Sequence, residues 1–227
     1  MADPNRALFE SVVRLLVPVL DELVFVGGCT TGLLVTDPAA GAIRPTRDVD
    51  AIVDVTSYAK YAALAERLRA LGLSEDTEPG APLCRWRHRR LIVNVMPTDA
   101  SVLGFANPWY PTAIETAQTF HVAGHEVRVV TPALFVATKL EAFHGRGNED
   151  VFASHDLEDI IAVIDGRPEI VNDVARAAAD VREYIGSEIR VLLGNPDFNE
   201  ALAAFLLPDP ASQARRGLLE GRLRALC

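Results

Sequence analysis

Two aspartates separated by a single residue are the first groups in the chain that could do chemistry. Asp48 and Asp50 flank one valine, and the apolar residues that alternate over 48–55 predict a strand. Side chains at i and i+2 of a strand project from the same face, roughly 7 Å apart at a rise of ~3.3 Å per residue. Two carboxylates at this spacing suit one divalent cation bridged by both side chains or a pair of cations flanking a phosphate, and hard oxygen ligands favour Mg²⁺ or Mn²⁺ over zinc. The structural alternative is a solvated face of a half-buried strand.

A glycine pair lies upstream of this acidic strand. Gly27 and Gly28 follow the apolar run 23–26 and precede Cys29 and Thr30. A glycine turn between a strand and a helix leaves backbone N–H groups bare at the helix N-terminus, where a triphosphate can bind. We therefore expect this turn to contact a nucleotide, although a plain turn would look the same. The sequence contains neither G-x-x-x-x-G-K-[ST] nor G-x-G-x-x-G, so the common alternative phosphate-binding folds lose support.

The order of these motifs resembles that of the polymerase-β-like nucleotidyltransferase superfamily. A strand, Gly27-Gly28 and an acidic strand follow one another as in that group. The segment 44–50 (RPTRDVD) is similar more narrowly to the R-x-T-x-D-h-D form of the AbiEii-type nucleotidyltransferase toxins of bacterial toxin–antitoxin systems. Segments 139–142 (KLEA) and 156–159 (DLED) also resemble that group. The resemblance covers roughly residues 20–165.

This resemblance implies a metal-dependent nucleotidyltransferase that transfers NMP from an NTP to an RNA. The 3′ end of a tRNA is the expected acceptor and an antitoxin protein the expected partner. Asp48 and Asp50 would hold Mg²⁺ or Mn²⁺, and Lys139 would neutralise the phosphates. Asp156 and Asp159 would organise the lysine or the nucleotide. Two alternatives stay open: NMP transfer to a protein or small-molecule hydroxyl, and a non-catalytic nucleotide- or partner-binding protein.

One expected catalytic position departs from the family pattern. The resemblance implies a third carboxylate, the base for the acceptor hydroxyl, where the extended segment 91–96 has Asn94. An amide is uncharged and does not accept a proton as a base, so the activity of this chain is in question. Three explanations remain: an engineered inactive variant, a natural pseudoenzyme, or a replacement carboxylate such as Asp99 or Glu126.

The strongest basic run of the chain directly precedes the Asn94 strand. Three arginines share one face of the extended segment 84–90, namely Arg85, Arg87 and Arg89. They are candidates for contacting an RNA phosphate backbone, with Trp86 as a surface for base stacking. A charged edge strand that resists aggregation explains the pattern equally well. Arg146, which lies between two glycines, is a further candidate for contacting phosphate.

The secondary structure predicted around these residues changes near residue 130. Short strands and helices alternate up to about residue 130, and Thr131-Pro132 then starts a series of helical segments. We therefore predict an α+β fold. It consists of a small mixed-sheet nucleotidyltransferase domain over 1–130, followed by an all-helical domain over 131–227 that completes the nucleotide site.

Charge and cysteine content narrow the class of protein further. The chain carries 22 Lys+Arg against 31 Asp+Glu, a formal charge of −9. This balance argues against coating nucleic acid by bulk charge but permits one local basic patch. An odd number of widely spaced cysteines predicts neither a disulfide framework nor a zinc site and favours a reducing cytoplasm. Without a run of ~18 apolar residues, we expect no membrane partner.

Overall fold

One mixed β-sheet organises the first half of the chain. The structure is a computed structural model that describes residues 3–145 and 150–227. Within these residues, seven strands pair in the order β3-β4-β5-β2-β1-β7-β6. They are β1 (Leu23–Val26), β2 (Val49–Val53), β3 (Ser74–Glu75), β4 (Arg85–His88), β5 (Leu91–Pro97), β6 (Gln118–Val122) and β7 (His125–Val129). The pairs β2–β5 and β1–β7 are parallel and the others antiparallel.

Helices accompany the sheet and dominate the described chain after the last strand. One helix, α1 (Arg6–Leu16), precedes the first strand, and those between the strands are α2 (Thr31–Leu34), α3 (Tyr58–Ala70), α4 (Ala100–Leu103) and α5 (Tyr110–Glu115). Those after the last strand are α6 (Pro132–Gly145), α7 (His155–Gly166), α8 (Ile170–Ala175), α9 (Ala179–Gly194), α10 (Pro196–Ala201), α11 (Pro210–Ala214) and α12 (Arg216–Ala225). This arrangement confirms the α+β prediction. None of the helices in the described ranges is long and apolar enough to cross a membrane.

The chain forms two compact units. The sheet unit comprises residues 5–30 and 45–131. The helical unit comprises 31–44, the described part of 132–227, and the two residues before Asn5. Residues 31–44 therefore pack with the helices, although they lie between two strands in the sequence. That 1–130 and 131–227 are separate domains stays a prediction.

Apolar strands at the centre of the sheet form the core of the sheet unit. All four residues of β1 are buried, which requires cover on both faces of the strand. One face is covered by α1, where the ring of Phe9 meets that of Phe25 edge-on at 4.9 Å between centroids. Burial at the sheet centre fixes the register, so the polar side chains of β2 and β5 have defined neighbours.

In the helical unit, α6 is buried on nearly all sides. Its residues from Pro132 to Leu140 are all buried, including Lys139. The segment 31–44 is held by polar contacts to the end of α7. Arg215 pairs with Asp37 at 2.8 Å and with Asp165 at 2.9 Å, and the Thr36 backbone N–H donates to Gly166 O at 2.9 Å. These contacts explain why the segment belongs to the helical unit.

Candidate functional site

Strand register brings four polar side chains together in the sheet unit. Asp50 on β2 lies opposite Asn94 on the parallel strand β5, and Arg85 on β4 lies opposite Asn94 from the other side. Asp48 immediately precedes β2 and points to the same group. We call Asp48, Asp50, Arg85 and Asn94 the sheet cluster.

The amide of Asn94 is the centre of the sheet cluster. Its Nδ2 donates to Asp48 Oδ2 at 3.0 Å and to Asp50 Oδ1 at 2.7 Å. Its Oδ1 accepts from Arg85 Nε at 3.1 Å, and Arg85 Nη2 lies 3.5 Å from Asp48 Oδ2. Thr46 Oγ1 donates to Asp48 Oδ1 at 3.0 Å. Two carboxylates that would repel each other are thus joined through one amide and supported by one guanidinium.

The donor set of the sheet cluster fits a divalent cation. Oxygens of both aspartates lie within hydrogen-bond distance of the same atom, Asn94 Nδ2, so the two carboxylates are close enough to share one ion in place of that amide. The side chain of Asp48 is 29% exposed and that of Arg85 is 26% exposed, so solvent reaches the group. In the described residues, no group of three or more His, Cys, Asp or Glu side chains could hold a metal. Any ion here depends on two carboxylates.

The glycine turn is built around Asp50. Gly27 has a φ of +74°, which favours glycine, and a Cβ at this position would overlap Asp50 Oδ2. The next residues form a short 3₁₀ helix, Gly28–Thr30, in which Thr30 Oγ1 donates to Gly27 O at 2.9 Å. Cys29 and Thr30 are buried, and the Cys29 thiol contacts Val26 O at 3.5 Å. The turn thus brings bare backbone next to a carboxylate, while its two side chains hold the turn itself.

Asn5 is a residue of this region that the sequence analysis missed. It is buried, its Oδ1 accepts from the Thr46 backbone N–H at 2.7 Å, and its Nδ2 donates to Gly28 O at 3.5 Å. One amide therefore connects the glycine turn to the residues just before the acidic strand. No local pattern around Asn5 announces this role, because its partner Thr46 is 41 residues away.

A second group of charges lies in the helical unit. Lys139 Nζ donates to Asp156 Oδ1 at 2.9 Å and to Asp159 Oδ2 at 2.7 Å. Asp159 Oδ2 also accepts from Arg44 Nη2 at 3.0 Å. The two aspartates occupy i and i+3 of α7, so they share the face that meets α6. We call Arg44, Lys139, Asp156 and Asp159 the helical cluster.

The lysine and the two aspartates of the helical cluster are buried together. The side chains of Lys139, Asp156 and Asp159 are 10%, 4% and 2% exposed. Burial acts to lower the pKa of Lys139, but the charges and hydrogen bonds of Asp159 and Asp156 outweigh it and raise that pKa. Burial opposes the charge of Arg44 in the same way, and the contacts with Asp159 again raise the pKa. Two cations thus face the two buried carboxylates, and Arg44 Nε also lies 3.7 Å from Oε2 of the exposed Glu158.

Two of the four arginines in the basic segment 84–90 are paired with acids of the sheet unit. Arg87 pairs with Asp76 at 2.7 Å and with Glu78 at 3.0 Å, while Arg85 belongs to the sheet cluster. Trp86 is only 1% exposed, so its ring is not a surface for base stacking. Arg89 is exposed in the turn between β4 and β5 with a φ of +54°.

The remaining sequence-based candidates lie away from the sheet cluster or outside the residues that the structure describes. Asp99 caps α4 by accepting from the Ser101 backbone N–H at 2.8 Å, and this hydrogen bond lowers the pKa of its carboxyl. Glu126 is 74% exposed on β7. Neither carboxylate has a contact with the sheet cluster in the described residues. Arg146 lies outside the residues that the structure describes.

Comparison with known proteins identifies the fold. No protein-family model and no curated protein matches the chain. Among solved structures, the chain is similar to an antigenic nucleotidyltransferase-like protein from Paracoccidioides brasiliensis. The two share 19% sequence identity with a TM-score of 0.50, over 88% of this chain and 92% of that one. The chain therefore has a nucleotidyltransferase-like fold, as the motif order predicted.

Proposed function

We propose that this chain is a metal-dependent nucleotidyltransferase. The observation that carries the proposal is the convergence of Asp48 and Asp50 on one point beside the Gly27 turn, in a nucleotidyltransferase-like fold. Paired carboxylates next to bare backbone suit the two parts of an NTP–metal complex, because the acids attract the cation and backbone N–H groups attract phosphate. The group is partly exposed, as a substrate requires.

The aspartates of the sheet cluster, the glycine turn and Thr46 each have a defined part in this proposal. Asp48 and Asp50 would hold Mg²⁺ or Mn²⁺, which when bound neutralises phosphate charge and activates the attacking oxygen. Gly27 leaves room for Asp50, and the backbone of Gly28 and Cys29 would approach the triphosphate, since the Thr30 N–H already donates to Gly27 O at 3.1 Å. Thr46 orients Asp48 through its hydroxyl. That Lys139 contacts phosphate stays a prediction from the resemblance, because its ammonium group is already paired with Asp156 and Asp159.

Asn94 sets the expected rate of the reaction. It orients both aspartates but cannot take the proton of an acceptor hydroxyl. A positioned general base contributes typically 10²- to 10⁴-fold. We therefore expect slow transfer by this chain and faster transfer by Asn94→Asp, in which a carboxylate replaces the amide.

The acceptor and the biological setting follow from the resemblance to AbiEii-type toxins. We propose an RNA acceptor, with the 3′ end of a tRNA as the first to test, and a cognate antitoxin as partner. Among the three arginines proposed for RNA contact, the exposed Arg89 is the best placed to meet an RNA phosphate, since Arg85 and Arg87 are engaged in ion pairs.

The test is an incubation with labelled NTPs, Mg²⁺, total cellular RNA and total cellular protein. The wild-type chain, Asn94→Asp and Asp48→Asn are compared. We expect label in RNA, with the most from Asn94→Asp and none from Asp48→Asn. Label found only in protein would replace the RNA acceptor by a protein hydroxyl. Absence of both label and NTP binding in all forms would refute the proposed function.

A second candidate function is nucleotide binding without transfer. It is favoured by one observation: both amide hydrogens of Asn94 are donated to the two carboxylates. Such a protein would bind NTP and release no pyrophosphate. Equilibrium binding of an NTP, combined with a pyrophosphate assay on the wild-type chain and Asn94→Asp, separates the two functions.

A further inference from the structure

We propose that Arg85 and Asn94 act as a built-in substitute for a cation, which limits the sheet cluster to one divalent ion. Arg85 is the positioning residue in this pair, because it fixes how the amide of Asn94 is turned. The inference rests on the proposed function only in taking an NTP as the co-ligand of the metal.

The charges of the sheet cluster are the first reason to expect a single ion. Asp48 and Asp50 contribute two negative charges, and the Arg85 guanidinium lies 3.5 Å from Asp48 Oδ2. The group is therefore less negative than its two aspartates alone. Pairs of catalytic metals lie about 3.5–4 Å apart and repel each other, so they need several shared anionic ligands. Two carboxylates beside a resident cation are sufficient for one divalent ion.

The orientation of the amide carries the second step. Arg85 Nε donates to Asn94 Oδ1 at 3.1 Å, which leaves Nδ2 to face the carboxylates. The opposite orientation would place N–H groups against the guanidinium and an oxygen against two carboxylates, and both contacts are repulsive. While Arg85 is in place, Asn94 presents a donor where a metal needs an acceptor. Asn94 therefore competes with the ion rather than binding it.

The neighbouring strand residue provides a matched control for this role. Arg87 lies two residues from Arg85 on β4, but it pairs with Asp76 and Glu78 instead of the sheet cluster. Replacing either arginine by Gln removes the same charge from the same strand. Only Arg85→Gln also frees the Asn94 amide to turn.

The experiment measures Mn²⁺ binding by electron paramagnetic resonance of the free ion. Titrations are run with and without an NTP analogue whose α–β bridge is a methylene group. For the wild-type chain we expect one bound Mn²⁺ per chain, after subtraction of the Mn²⁺ that the analogue binds in a sample without protein. We expect Arg85→Gln to bind this single Mn²⁺ at least ten-fold more tightly than the wild type and still to bind no second ion. We expect Arg87→Gln to match the wild type. Arg85→Lys, which keeps the charge, is expected to lie between them.

Adding a carboxylate tests the limit itself. The double variant Arg85→Gln/Asn94→Asp is expected to bind two Mn²⁺ ions in the presence of the analogue. Two ions on the wild-type chain, or equal affinities for Arg85→Gln and Arg87→Gln, would overturn the inference. Thermal unfolding verifies that each variant is folded, and Arg85→Lys still decides the question if Arg85→Gln is not. If the analogue fails to bind, the proposed function fails, whereas Mn²⁺ binding without nucleotide still tests the inference.

Discussion

The sheet cluster and the helical cluster use the same charged groups to different ends. Each joins two aspartates through one shared hydrogen-bond donor, Asn94 in the first and Lys139 in the second. In the sheet cluster, an amide and one partly exposed guanidinium support the acids. In the helical cluster, a lysine and an arginine neutralise side chains that are 2–4% exposed. An accessible group can exchange its hydrogen bonds for a ligand, whereas a closed group contributes to the fold.

This contrast has an energetic consequence. Removing one partner of a buried ion pair leaves an uncompensated charge in a medium that solvates it poorly. Removing one of two adjacent, partly solvated carboxylates instead relieves repulsion. We therefore expect the two clusters to respond oppositely to the loss of a charge.

Lys139→Met should produce the largest loss of stability. It leaves Asp156 and Asp159 buried with Arg44 as their remaining cation, and we expect a loss of about 3–5 kcal/mol in the free energy of unfolding, measured in urea. Lys60→Met, a change at an exposed lysine, is the control and should cost less than about 0.5 kcal/mol. Equal losses for the two variants would show that the helical cluster does not stabilise the fold.

Gly27→Ala should have the next largest effect, this time through the sheet cluster. A methyl group at φ +74° is strained and also displaces the Asp50 carboxylate. We expect a loss of about 2–3 kcal/mol together with the loss of Mn²⁺ binding. Gly80→Ala is the control, since Gly80 has a φ of +84° but open space around it, and it should lose about 1 kcal/mol. If the two alanine variants behave alike, contact with Asp50 is not what requires Gly27.

Alkaline pH should weaken the helical cluster selectively. The pKa of Lys139 is raised above 10.5, so its contribution is complete below pH 10.5 and is lost as the pH rises through the folded-state pKa. Lys139→Arg keeps a cation that does not titrate in this range. Relative to that variant, the wild type should lose up to about 1.4 kcal/mol per pH unit above pH 10.5.

The same comparison removes other alkaline effects. Burial raises the pKa of the Cys84 thiol to about 11 and that of the Tyr61 hydroxyl to about 12. Both groups therefore destabilise the fold in this pH range, but equally in the wild type and in Lys139→Arg. A stability difference between the two proteins that is constant from pH 8 to pH 11 would contradict the assignment to Lys139.

Asp48→Asn should have the smallest effect on stability. It removes one of two neighbouring negative charges, its oxygen can still accept from Asn94, and its amide NH₂ can donate to the Thr46 hydroxyl. We therefore expect the melting temperature to stay within about 2 °C or to rise slightly. Mn²⁺ binding should nevertheless be lost. Asp156→Asn, the same substitution in the helical cluster, should cost about 1–3 kcal/mol because Lys139 loses a charged partner. Similar losses from both substitutions would remove the distinction between the clusters.

Local patterns were sufficient to predict the main parts of the fold. The alternation over 48–55 indicated β2, which spans Val49–Val53, and Thr131-Pro132 marked the start of α6. Ser154, a residue type that favours the position before a helix, caps α7 by accepting from the Leu157 backbone N–H at 3.2 Å. The two aspartates that the strand pattern placed on one face do meet at a single partner. Periodicity, caps and i, i+2 spacing are local properties, so one sequence reveals them.

Long-range partners were not predictable in the same way. Arg44 meets Asp159 across 115 residues, and no local pattern links the two. Of the three arginines predicted to share one strand face, Arg85 and Arg87 lie on β4, whereas Arg89 is in the following turn. Strand pairing decides which acids the two β4 arginines meet. The same pairing buries Trp86, which the basic composition of the segment had suggested as a stacking surface. Tertiary register therefore accounts for most of what the sequence left open.

The return of residues 31–44 to the helical unit has a consequence for synthesis on the ribosome. Translation produces the segment early, but its partners Asp165, Gly166 and Arg215 follow more than a hundred residues later. Protein units generally fold as they emerge, from the N-terminus onward. The stretch between β1 and β2 must therefore wait as an unpacked loop while the strands around it pair. A nascent chain arrested after residue 131 would contain every strand of the described sheet and still leave this loop open to protease.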